Sequence, residues 1–396
     1  MATIKAGIIG AGFVGPAHID ALRRLSYVDV VALAASETEK ARRKAAALGV
    51  PRAYGDYREL LADPDVQVVH NCTPNNLHFE INRAALAAGK HVLSEKPLAI
   101  SSKQSAALLS QARELPLVTA VNFNHRGYPQ MRQARQLLSA GKLGRVLLAY
   151  GGYFQDWLLL ESDYNWRVDA GLGGPSRALA DIGSHWYDLL RFVTGLRAQE
   201  VFAELRTVHP QRRFPARGDL ETFARLDAAQ AGGGAVTVAN EDAAGLFIRL
   251  SGGAFASVVV SQVSAGRKNR LLLEIAGSKM ALSWDGEVPE QLWVGQRAAA
   301  NQLLIRDPTL LDPVAAAASR LPGGHSEGWS DALYNVMREV YEFIAAGRDP
   351  RVERPPYATF ADGHEAILVV EAALRSHAEG RWVPLPGEDS HELAAR

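Results

Sequence analysis

The chain has 396 residues, more than one hydrophobic core usually accommodates, because folded domains average about 150 residues. Lys and Arg together number 43, and Asp and Glu also number 43, so the chain lacks the basic excess of a protein that binds nucleic-acid phosphates. Hydrophobic residues make up 47% and charged residues 22%, proportions that exclude a disordered chain. The composition predicts two folded domains and no nucleic-acid partner.

The sequence gives no sign of export or membrane insertion. The single cysteine, Cys72, cannot form a disulfide within the chain, so nothing indicates an oxidising compartment. The apolar N-terminal stretch is interrupted by glycines and lacks the basic start and cleavage site of a signal peptide. No stretch approaches the ~20 apolar residues of a membrane-spanning helix. We expect a cytoplasmic protein with no membrane partner.

A glycine-rich loop with the pattern GAGFVG, residues 10–15, joins a predicted strand at residues 4–10 to a predicted helix at residues 17–25. In a dinucleotide-binding fold the first glycine permits a tight turn, the second lets the backbone approach the pyrophosphate, and the third lets the helix pack on the strand. The residues predicted to bind a dinucleotide here are Gly10, Gly12, Phe13, Val14 and Gly15. The alternative is a structural corner without a ligand.

Strand and helix patterns alternate through the rest of the first half. The further predicted strands are residues 29–34, 66–71, 91–94 and 117–121, and the predicted helices are residues 37–48, 76–88 and 101–114. This alternation is typical of a parallel, doubly wound α/β sheet of the Rossmann type. Such sheets bind ligands beyond the carboxyl ends of their strands. We therefore predict an NAD(P)-binding domain over residues 1–125.

The residues that follow the second predicted strand bear on the choice between NAD and NADP. A carboxylate there would bond the adenosine ribose of NAD and repel the 2′-phosphate of NADP, but the residue is Ala35. Ser36 and Lys40 are suited to hold a 2′-phosphate at the start of a helix, whereas the charge of Glu37 opposes it. Either NAD or NADP is predicted, with a slight preference for NADP. Alternatively, Lys40 is an ordinary solvated helix lysine.

Motifs that lie far apart along the chain resemble those of the Gfo/Idh/MocA family, the glucose-fructose oxidoreductase and inositol dehydrogenase type. One is the segment GKHVLSEKP at residues 89–97, preceded by Thr73-Pro74-Asn75 and His78. The others are the glycine run at residues 171–174 and the pattern D-x-G-x-H-x-x-D at residues 181–188. The resemblance extends over essentially the whole chain and implies a two-domain oxidoreductase.

This resemblance and the positions of the strand ends extend the predicted cofactor site beyond the glycine loop. The added residues follow the later strands of the predicted sheet. They are Thr73, Pro74, Asn75, His78, Glu95, Lys96, Pro97, Asn122 and Asn124. All of them border the crevice in which a Rossmann fold holds its ligand.

The resemblance also implies three catalytic residues, Lys96, Asp181 and His185. It implies a cis bond between Lys96 and Pro97 that directs the lysine at nicotinamide and substrate. The ammonium group would stabilise a developing alkoxide, His185 would be the general acid/base, and Asp181 would orient the substrate or set the state of the imidazole.

By spacing alone, Asp181 and His185 share one face of a helix. That spacing also fits a helix-surface contact or half of a metal site. No further metal ligands with suitable spacing accompany the pair in the sequence, so no metal is predicted.

The chain contains 11 histidines, and His70, His78, His91 and His125 belong to the predicted cofactor domain. For each of these we expect packing in the core or a hydrogen bond to the backbone.

Strands dominate the second half, after a predicted helix at residues 129–140. The predicted strands are residues 146–154, 201–208, 220–226, 243–250, 254–263, 271–276 and 281–284, and the closing helices are residues 329–346 and 359–378. This pattern predicts an α+β domain over residues 126–387 with a large, mostly antiparallel open sheet, followed by a polar tail at residues 388–396. The resemblance implies that helices cover one face of the sheet and a second subunit the other, giving a homodimer or homotetramer.

Aromatic and polar side chains are mixed between residues 153 and 167. An aromatic ring stacks on the apolar face of a sugar, while amides and charged groups bond its hydroxyls. The residues predicted to bind a sugar or polyol are Tyr153, Gln155, Trp157, Tyr164, Trp166 and Arg167. Alternatively, the tryptophans belong to the core or to a dimer interface.

The leading hypothesis is an NAD(P)-dependent oxidoreductase that transfers hydride between a nicotinamide cofactor and a secondary hydroxyl or ketone of a sugar, polyol or related cyclic compound. One alternative is a glycosidase that oxidises its substrate transiently with bound NAD and shows no net cofactor reduction. Another is a non-catalytic dinucleotide sensor. A sensor would be expected to lose Lys96, Asp181 and His185, all of which are present.

Overall fold

The structure is a computed structural model that describes residues 3–213 and 234–386. Its first half contains a parallel sheet of six strands. Its strands are β1 (Ile4–Ile9), β2 (Val28–Ala34), β3 (Arg52–Tyr54), β4 (Val68–Asn71), β5 (His91–Ser94) and β6 (Thr119–Val121). The helices between them are α1 (Val14–Arg23), α2 (Thr38–Ala47), α3 (Tyr57–Ala62), α4 (Asn75–Ala87) and α5 (Ser102–Arg113). The predicted Rossmann sheet is confirmed.

The strand order β3-β2-β1-β4-β5-β6 reverses direction between β1 and β4. At such a switch point the loops that leave neighbouring strands separate and open a crevice beyond their carboxyl ends. The loops after β1 and β4 therefore border this crevice from two sides. The sequence analysis missed β3 and α3, because β3 is only three half-buried residues long and carries no clear apolar alternation.

A second sheet follows, with nine strands in the described part of the chain and the order β16-β15-β14-β13-β7-β12-β11-β8-β17. Its strands are β7 (Val146–Phe154), β8 (Ala198–Arg206), β11 (Ala243–Leu250), β12 (Phe255–Ser261), β13 (Arg270–Gly277), β14 (Met280–Asp285), β15 (Gln291–Gln296), β16 (Gln302–Ile305) and β17 (Val383–Pro384). Two further strands, β9 (Gln211–Arg213) and β10 (Ala235–Thr237), form a separate antiparallel pair. The pairing of β7 with β12 is parallel and the other described pairs are antiparallel. The predicted mostly antiparallel sheet is confirmed.

Helices cover one face of this second sheet. The helices of this half are α6 (Pro129–Ser139), α7 (Ala170–Gly173), α8 (Ser184–Thr194), α9 (Pro313–Ala316), α10 (Trp329–Ala345) and α11 (Phe360–Glu379). Trp186 of α8 is fully buried against the sheet and its Nε1 donates to the carbonyl of Leu272 at 2.9 Å. The sequence analysis missed β15 and the two edge strands β16 and β17. The predicted strand at residues 220–226 and the predicted tail at residues 388–396 lie outside the described residues.

Helix α10 returns to the first domain. Its side chains Leu333, Met337 and Val340 belong to the same buried cluster as Ile8 of β1, and Asp331 pairs with Arg24 just after α1 at 2.5 Å. The division between residues 125 and 126 stays a prediction, and α10 packs on the first-domain side of it. Among the helices of the described ranges, none combines the length and apolar character needed to cross a membrane.

Candidate active site

The glycine loop between β1 and α1 is shaped by close backbone contacts at two positions and by open space at a third. Gly10 has φ of +98°, and a Cβ there would lie 2.5 Å from the carbonyl oxygen of Cys72. A Cβ on Gly15 would lie 2.3 Å from the carbonyl oxygen of Gly10. A Cβ on Gly12 would meet no atom within 4 Å. The loop thus leaves room at Gly12, in front of the unpaired N–H groups of the first turn of α1, and this space fits a pyrophosphate.

Phe13 and Val14 complete this loop. Val14 is the first residue of α1, and Phe13 is half exposed with its ring 6.2 Å from that of Trp329. Ser36 lies on the surface after β2, next to the exposed Glu37 that precedes α2, and Lys40 is partly buried in the first turn of that helix. Ala35 carries no carboxylate, and the cofactor contacts of Ser36 and Lys40 stay predictions.

His78 joins the loops that follow β4 and β5. Its Nδ1 lies 2.7 Å from the carbonyl oxygen of Pro97 and its Nε2 lies 2.9 Å from that of Thr73. The ring is fully buried, so His78 positions the two loops, as expected for a histidine bonded to the backbone. Its contact with the cofactor stays a prediction. Asn75 likewise donates from Nδ2 to the carbonyl of Gly173 at 2.8 Å and links the cofactor loop to the glycine run. Pro74 precedes it as the first residue outside α4.

Glu95 points beneath the crevice. Its Oε1 accepts a hydrogen bond from Asn122 Nδ2 at 2.6 Å and lies 3.0 Å from His18 Nε2, and its Oε2 accepts from the backbone N–H of Lys96 at 3.2 Å. Burial would raise the pKa of Glu95, but the bond and charge of His18 and the charge of Lys96 outweigh it and lower the pKa. The carboxylate therefore anchors the loop that carries Lys96, and its contact with the cofactor stays a prediction.

The buried network continues from Glu95 into the core. His18 Nδ1 lies 2.9 Å from His70 Nδ1, and His70 Nε2 lies 2.8 Å from the hydroxyl of Tyr341 on α10. His70 is fully buried, as expected, and its ring nitrogens contact side chains. His91 does bond the backbone, since its Nδ1 accepts from the N–H of Val118 at 2.9 Å.

Lys96 and Asp181 form a partly buried ion pair at the carboxyl end of β5. Lys96 Nζ donates to Asp181 Oδ1 at 2.6 Å and to the carbonyl oxygen of Asp181 at 2.9 Å. The bond between Lys96 and Pro97 is cis, as the resemblance implied. Each of the two charged side chains is 12% exposed, so both remain reachable from the crevice.

Further groups surround the Asp181 carboxylate. Gln262 Nε2 donates to Oδ2 at 2.8 Å, and Arg167 Nε lies 3.4 Å from Oδ1. Burial alone would raise the pKa of Asp181, but the charges of Lys96 and Arg167 and the hydrogen bonds lower it to about 2. Asp181 is therefore a carboxylate at neutral pH, and it holds the lysine ammonium in place.

His185 follows Asp181 across a change of helix type. Residues Leu179–Gly183 form a π-helical turn, in which the N–H of Ser184 donates to the carbonyl of Leu179, and α8 begins at Ser184. Single π turns are frequent at functional sites. The expected α-helical spacing between Asp181 and His185 is thus replaced by a wider turn, which still sends both side chains toward Lys96.

His185 is buried and neutral. Burial, then the charge of Lys96 and then the proximity of His125, hold the pKa of His185 well below its usual range. A neutral imidazole can accept a proton from a substrate hydroxyl. Its Nδ1 lies 3.3 Å from Nδ1 of His125, and His125 is buried among aromatic rings, as expected for a histidine packed in the core.

The predicted substrate residues form a linked wall. Tyr153 donates its hydroxyl to Asn269 Oδ1 at 2.7 Å, and Gln155 Nε2 donates to the same oxygen at 2.8 Å. Trp157 Nε1 in turn donates to Gln155 Oε1 at 2.8 Å. The structure therefore brings these three residues together at the end of β7.

Arg167 connects this wall to the ion pair of Lys96 and Asp181. Its guanidinium carbon lies 4.3 Å from the ring centre of Trp166 and 6.0 Å from that of Trp157. Tyr164 packs with Trp157 on a small cluster around Leu158, so the ring of Tyr164 supports the wall. Aromatic rings and bonded amides next to a charged pair are suited to a hydroxylated ring.

Sequence reasoning missed Gln262, Asn269, His18 and the role of His125. None of the four belongs to a motif with fixed spacing. Asn269 precedes β13, which pairs with β7, whereas His18 lies on α1 and His125 lies in the turn after β6. Gln262 follows β12, whose neighbour β7 carries the substrate wall. Asn124 is buried, and its Nδ2 has no hydrogen-bond partner among the described residues. Residues 3–213 and 234–386 contain no cluster of three or more histidine, cysteine or acidic side chains that could hold a metal ion.

Comparison with known proteins connects this geometry to a family. Residues 4–123 match the family described as an oxidoreductase family with an NAD-binding Rossmann fold, and residues 131–283 match the GFO/IDH/MocA C-terminal domain. The levoglucosan dehydrogenase of Pseudarthrobacter phenanthrenivorans is 30% identical over 400 residues, covering 98% of this chain and 99% of that enzyme.

Solved structures agree with these matches. Levoglucosan dehydrogenase in complex with NADH and L-sorbose superposes with a TM-score of 0.87 at 28% identity, covering 97% of this chain and 99% of that one. An inositol dehydrogenase homologue complexed with NAD⁺, from Azotobacter vinelandii, superposes with a TM-score of 0.83 at 28% identity over 97% of each chain.

Proposed function

Because this chain belongs to the Gfo/Idh/MocA family of NAD-binding oxidoreductases, we propose that it oxidises or reduces a sugar or polyol at one carbon, exchanging hydride with a nicotinamide dinucleotide. The observation that carries the proposal is the arrangement of Lys96, Asp181 and His185 at the carboxyl edge of the first sheet. This edge also holds the open space at Gly12. An ammonium group, a carboxylate and a neutral base therefore share the crevice with room for a dinucleotide.

Each of the three residues has a separate role in the proposed reaction. In the direction of oxidation, the neutral imidazole of His185 accepts the hydroxyl proton. Lys96 donates a hydrogen bond to the same oxygen and stabilises its growing negative charge. Asp181 orients the lysine and accepts a hydrogen bond from a neighbouring hydroxyl. When bound, the nicotinamide ring supplies the hydride acceptor.

The substrate class follows from the wall beside the catalytic pair. Gln155 and Arg167 offer polar groups to ring hydroxyls, and Trp157 and Trp166 offer apolar faces. The structure of levoglucosan dehydrogenase to which this chain is similar was solved with L-sorbose. We propose that this chain binds a sugar, polyol or related cyclic compound at the same place.

Turnover with a panel of substrates tests this function. The protein is mixed with NAD or NADP and a panel of sugars, anhydrosugars and polyols, and reduced cofactor is followed by absorbance. We expect His185→Ala to lose about 10³-fold in kcat, while His377→Ala, at an exposed position on α11, keeps the wild-type rate. Equal rates for wild type and His185→Ala would contradict the assignment. Sugar release without net cofactor reduction would favour a glycosidase that oxidises its substrate transiently.

For the cofactor, we propose that NAD and NADP both bind, with a slight preference for NADP. Ala35 offers no carboxylate to the ribose, and the exposed Ser36 and the start of α2 are suited to a 2′-phosphate, although the exposed Glu37 limits the preference. Fluorescence titration should show Lys40→Ala weakening NADPH about threefold and leaving NADH unchanged. Ala35→Asp should weaken NADPH about tenfold. Equal losses for both cofactors in Lys40→Ala would remove Lys40 from the phosphate site.

We also propose a homo-oligomer that forms through the open face of the second sheet. Tyr150, Phe247 and Val259 are exposed on that face, and the register of β11, β12 and β7 places Phe247 beside Ser257 and Ser257 beside Tyr150. Exposed apolar patches of this kind mark association surfaces. Light scattering should report a dimer or tetramer for the wild type and a smaller species for Phe247→Glu. An unchanged mass would contradict this interface.

A further inference from the structure

Two buried imidazoles face each other across the catalytic site. His125 lies in the short 3-10 turn Asn124–Gly127 after β6, and His185 lies in the first turn of α8. Their Nδ1 atoms are 3.3 Å apart, and their ring centres are 4.8 Å apart at an interplanar angle of 71°. The side chains are almost fully buried, so no bulk water competes for this contact.

An aromatic cage fixes the ring of His125. The ring centres of Tyr153, Tyr128 and Trp284 lie 5.6, 5.9 and 6.4 Å from that of His125, and Tyr153 and Trp284 present their contacts edge to face. The cage leaves His125 little freedom to rotate away from His185. The orientation of the contact is therefore built into the packing.

The charged groups around the pair keep both rings neutral. Lys96 is the ionised group that acts on His125 and His185, while Asp181 is bonded to Lys96 and also acts on the phenol of Tyr153. Burial, followed by the charge of Lys96, lowers the pKa of His125 to about 3. Both imidazoles therefore carry a single N–H at neutral pH.

A neutral imidazole has one donor nitrogen and one acceptor nitrogen. Two facing Nδ1 atoms can share one proton only, because two N–H groups or two lone pairs would repel each other. The tautomers of His125 and His185 are therefore linked. If Nδ1 of His185 carries the proton, Nδ1 of His125 is bare and Nε2 of His125 carries its proton.

We propose that His125 is a positioning residue that accepts the Nδ1–H of His185 and so leaves Nε2 of His185 bare as the base. The inference rests on the proposed function. During oxidation the hydroxyl O–H bond breaks and its proton goes to Nε2 of His185, while the C–H bond breaks with its electron pair going to the oxidised dinucleotide and the C=O bond forms. His185 then holds a proton on each nitrogen and still donates from Nδ1 to His125, until Nε2 returns its proton to water.

The neutral character of the acceptor has a consequence for pH dependence. A carboxylate in place of His125 would attract the imidazolium and raise the pKa of His185. The imidazole of His125 instead accepts the hydrogen bond without adding charge. His185 therefore stays unprotonated, and able to act as a base, well below the usual titration range of histidine.

Three substitutions at residue 125 test this role by kinetics. His125→Phe fits the aromatic cage but accepts no hydrogen bond, so kcat should fall about 30-fold, while KM and the Kd for NADH stay within about twofold. His125→Asn retains an acceptor oxygen and should recover most of the activity. His125→Asp should move the acidic limb of the kcat/KM profile upward by about one pH unit. Tyr128→Phe, which keeps the cage apolar, is the matched control for packing.

The tautomers can be measured without turnover. Side-chain ¹⁵N shifts of the whole protein labelled at histidine, assigned with His125→Asn and His185→Asn, should show a protonated Nδ1 and bare Nε2 for His185 and the reverse for His125. The opposite tautomers, or a His125→Asp profile that coincides with the wild type, would overturn the inference. Failure of the wild type to turn over any sugar would refute the proposed function itself, whereas turnover with the wrong tautomer would refute only the role of His125.

Discussion

The proposed cofactor edge of the first sheet is shaped by close backbone contacts, whereas the proposed catalytic end of the crevice is formed by charged and polar side chains. At the cofactor edge, glycine is needed at residues 10 and 15 because a Cβ would collide with a carbonyl oxygen. At Gly12 the space beside the Cα is open, and a side chain there would occupy the space proposed for the pyrophosphate. At the catalytic end, Lys96 and Asp181 meet across a long stretch of sequence with His185 beside them. The two regions therefore depend on different physical terms.

This difference predicts how each region responds to substitution. An edge shaped by close backbone contacts is sensitive to one added methyl group. A side-chain-built site depends on buried charges that stabilise one another, and removal of one partner leaves the other unpaired in a medium of low dielectric. Substitutions in the two regions should separate cofactor binding from catalysis.

Removal of the ammonium group should have the largest effect. Lys96→Met keeps the length of the side chain but loses the hydrogen-bond donor to the reacting oxygen, so kcat should fall about 10³-fold, or about 4 kcal/mol. The Kd for NADH, measured by fluorescence, should change by less than about threefold, and Lys103→Met at an exposed position of α5 serves as control. A parallel loss of NADH affinity would place Lys96 in the cofactor edge and break the comparison.

The second-largest expected effect comes from breaking a buried ion pair that holds α8 in place. Arg126 donates from Nε to Asp188 Oδ2 at 2.8 Å and from a terminal nitrogen to Oδ1 at 2.5 Å, and both residues are buried. Arg126→Met should lower the free energy of unfolding in urea by about 3 kcal/mol, because Asp188 is left buried without its partner. The exposed pair of Arg42 and Glu39 gives the control, since Arg42→Met should have almost no effect. Equal losses would show that the side-chain region does not rely on burial.

Two glycine substitutions sharpen the contrast within the cofactor edge. Gly15→Ala should destabilise the fold by about 2 kcal/mol and abolish NADH binding, because its Cβ would meet the Gly10 carbonyl. Gly12→Ala should leave thermal unfolding unchanged and weaken NADH about tenfold, because the added methyl occupies space meant for the pyrophosphate. Calorimetry and fluorescence titration give the two readouts. Destabilisation by Gly12→Ala would contradict the open space there.

The smallest expected effect is the change in the free energy of unfolding per pH unit. Because burial lowers the pKa of His125 to about 3, the unfolded chain binds a proton at this residue below about pH 6.5 and the folded chain does not. The free energy of unfolding should therefore decrease as the pH is lowered from about 6.5 toward 3. His125 should contribute about 1.4 kcal/mol per pH unit to this decrease. His125→Asn should reduce the slope measured by urea unfolding at successive pH values, and the exposed His377→Asn should leave it unchanged. The same slope in both variants would contradict a buried neutral His125.

The first sheet was predictable because each of its strands and helices carries a local pattern, and the crossover rule joins them in one way. Strand β3 was missed because three half-buried residues carry too little pattern. In the second sheet, β16 and β17 were missed because they are short edge strands of four and two residues. The family resemblance pointed to Lys96, Asp181 and His185, and the structure brings these three residues close together. The cofactor contacts of Glu95 and His78 stay predictions, and both side chains bond protein groups.

The sequence by itself determined the glycine loop, the alternation that builds the first sheet and the residue types of the catalytic group, since these depend on local spacing and on chemistry that each side chain carries alone. Only the tertiary structure decided which groups surround them. Gln262 reaches Asp181, Asn269 joins Tyr153 to Gln155, and His125 faces His185. These contacts arise from strand pairing and helix packing between residues far apart in the chain, and no local pattern encodes the distance between two side chains that meet only in the folded protein.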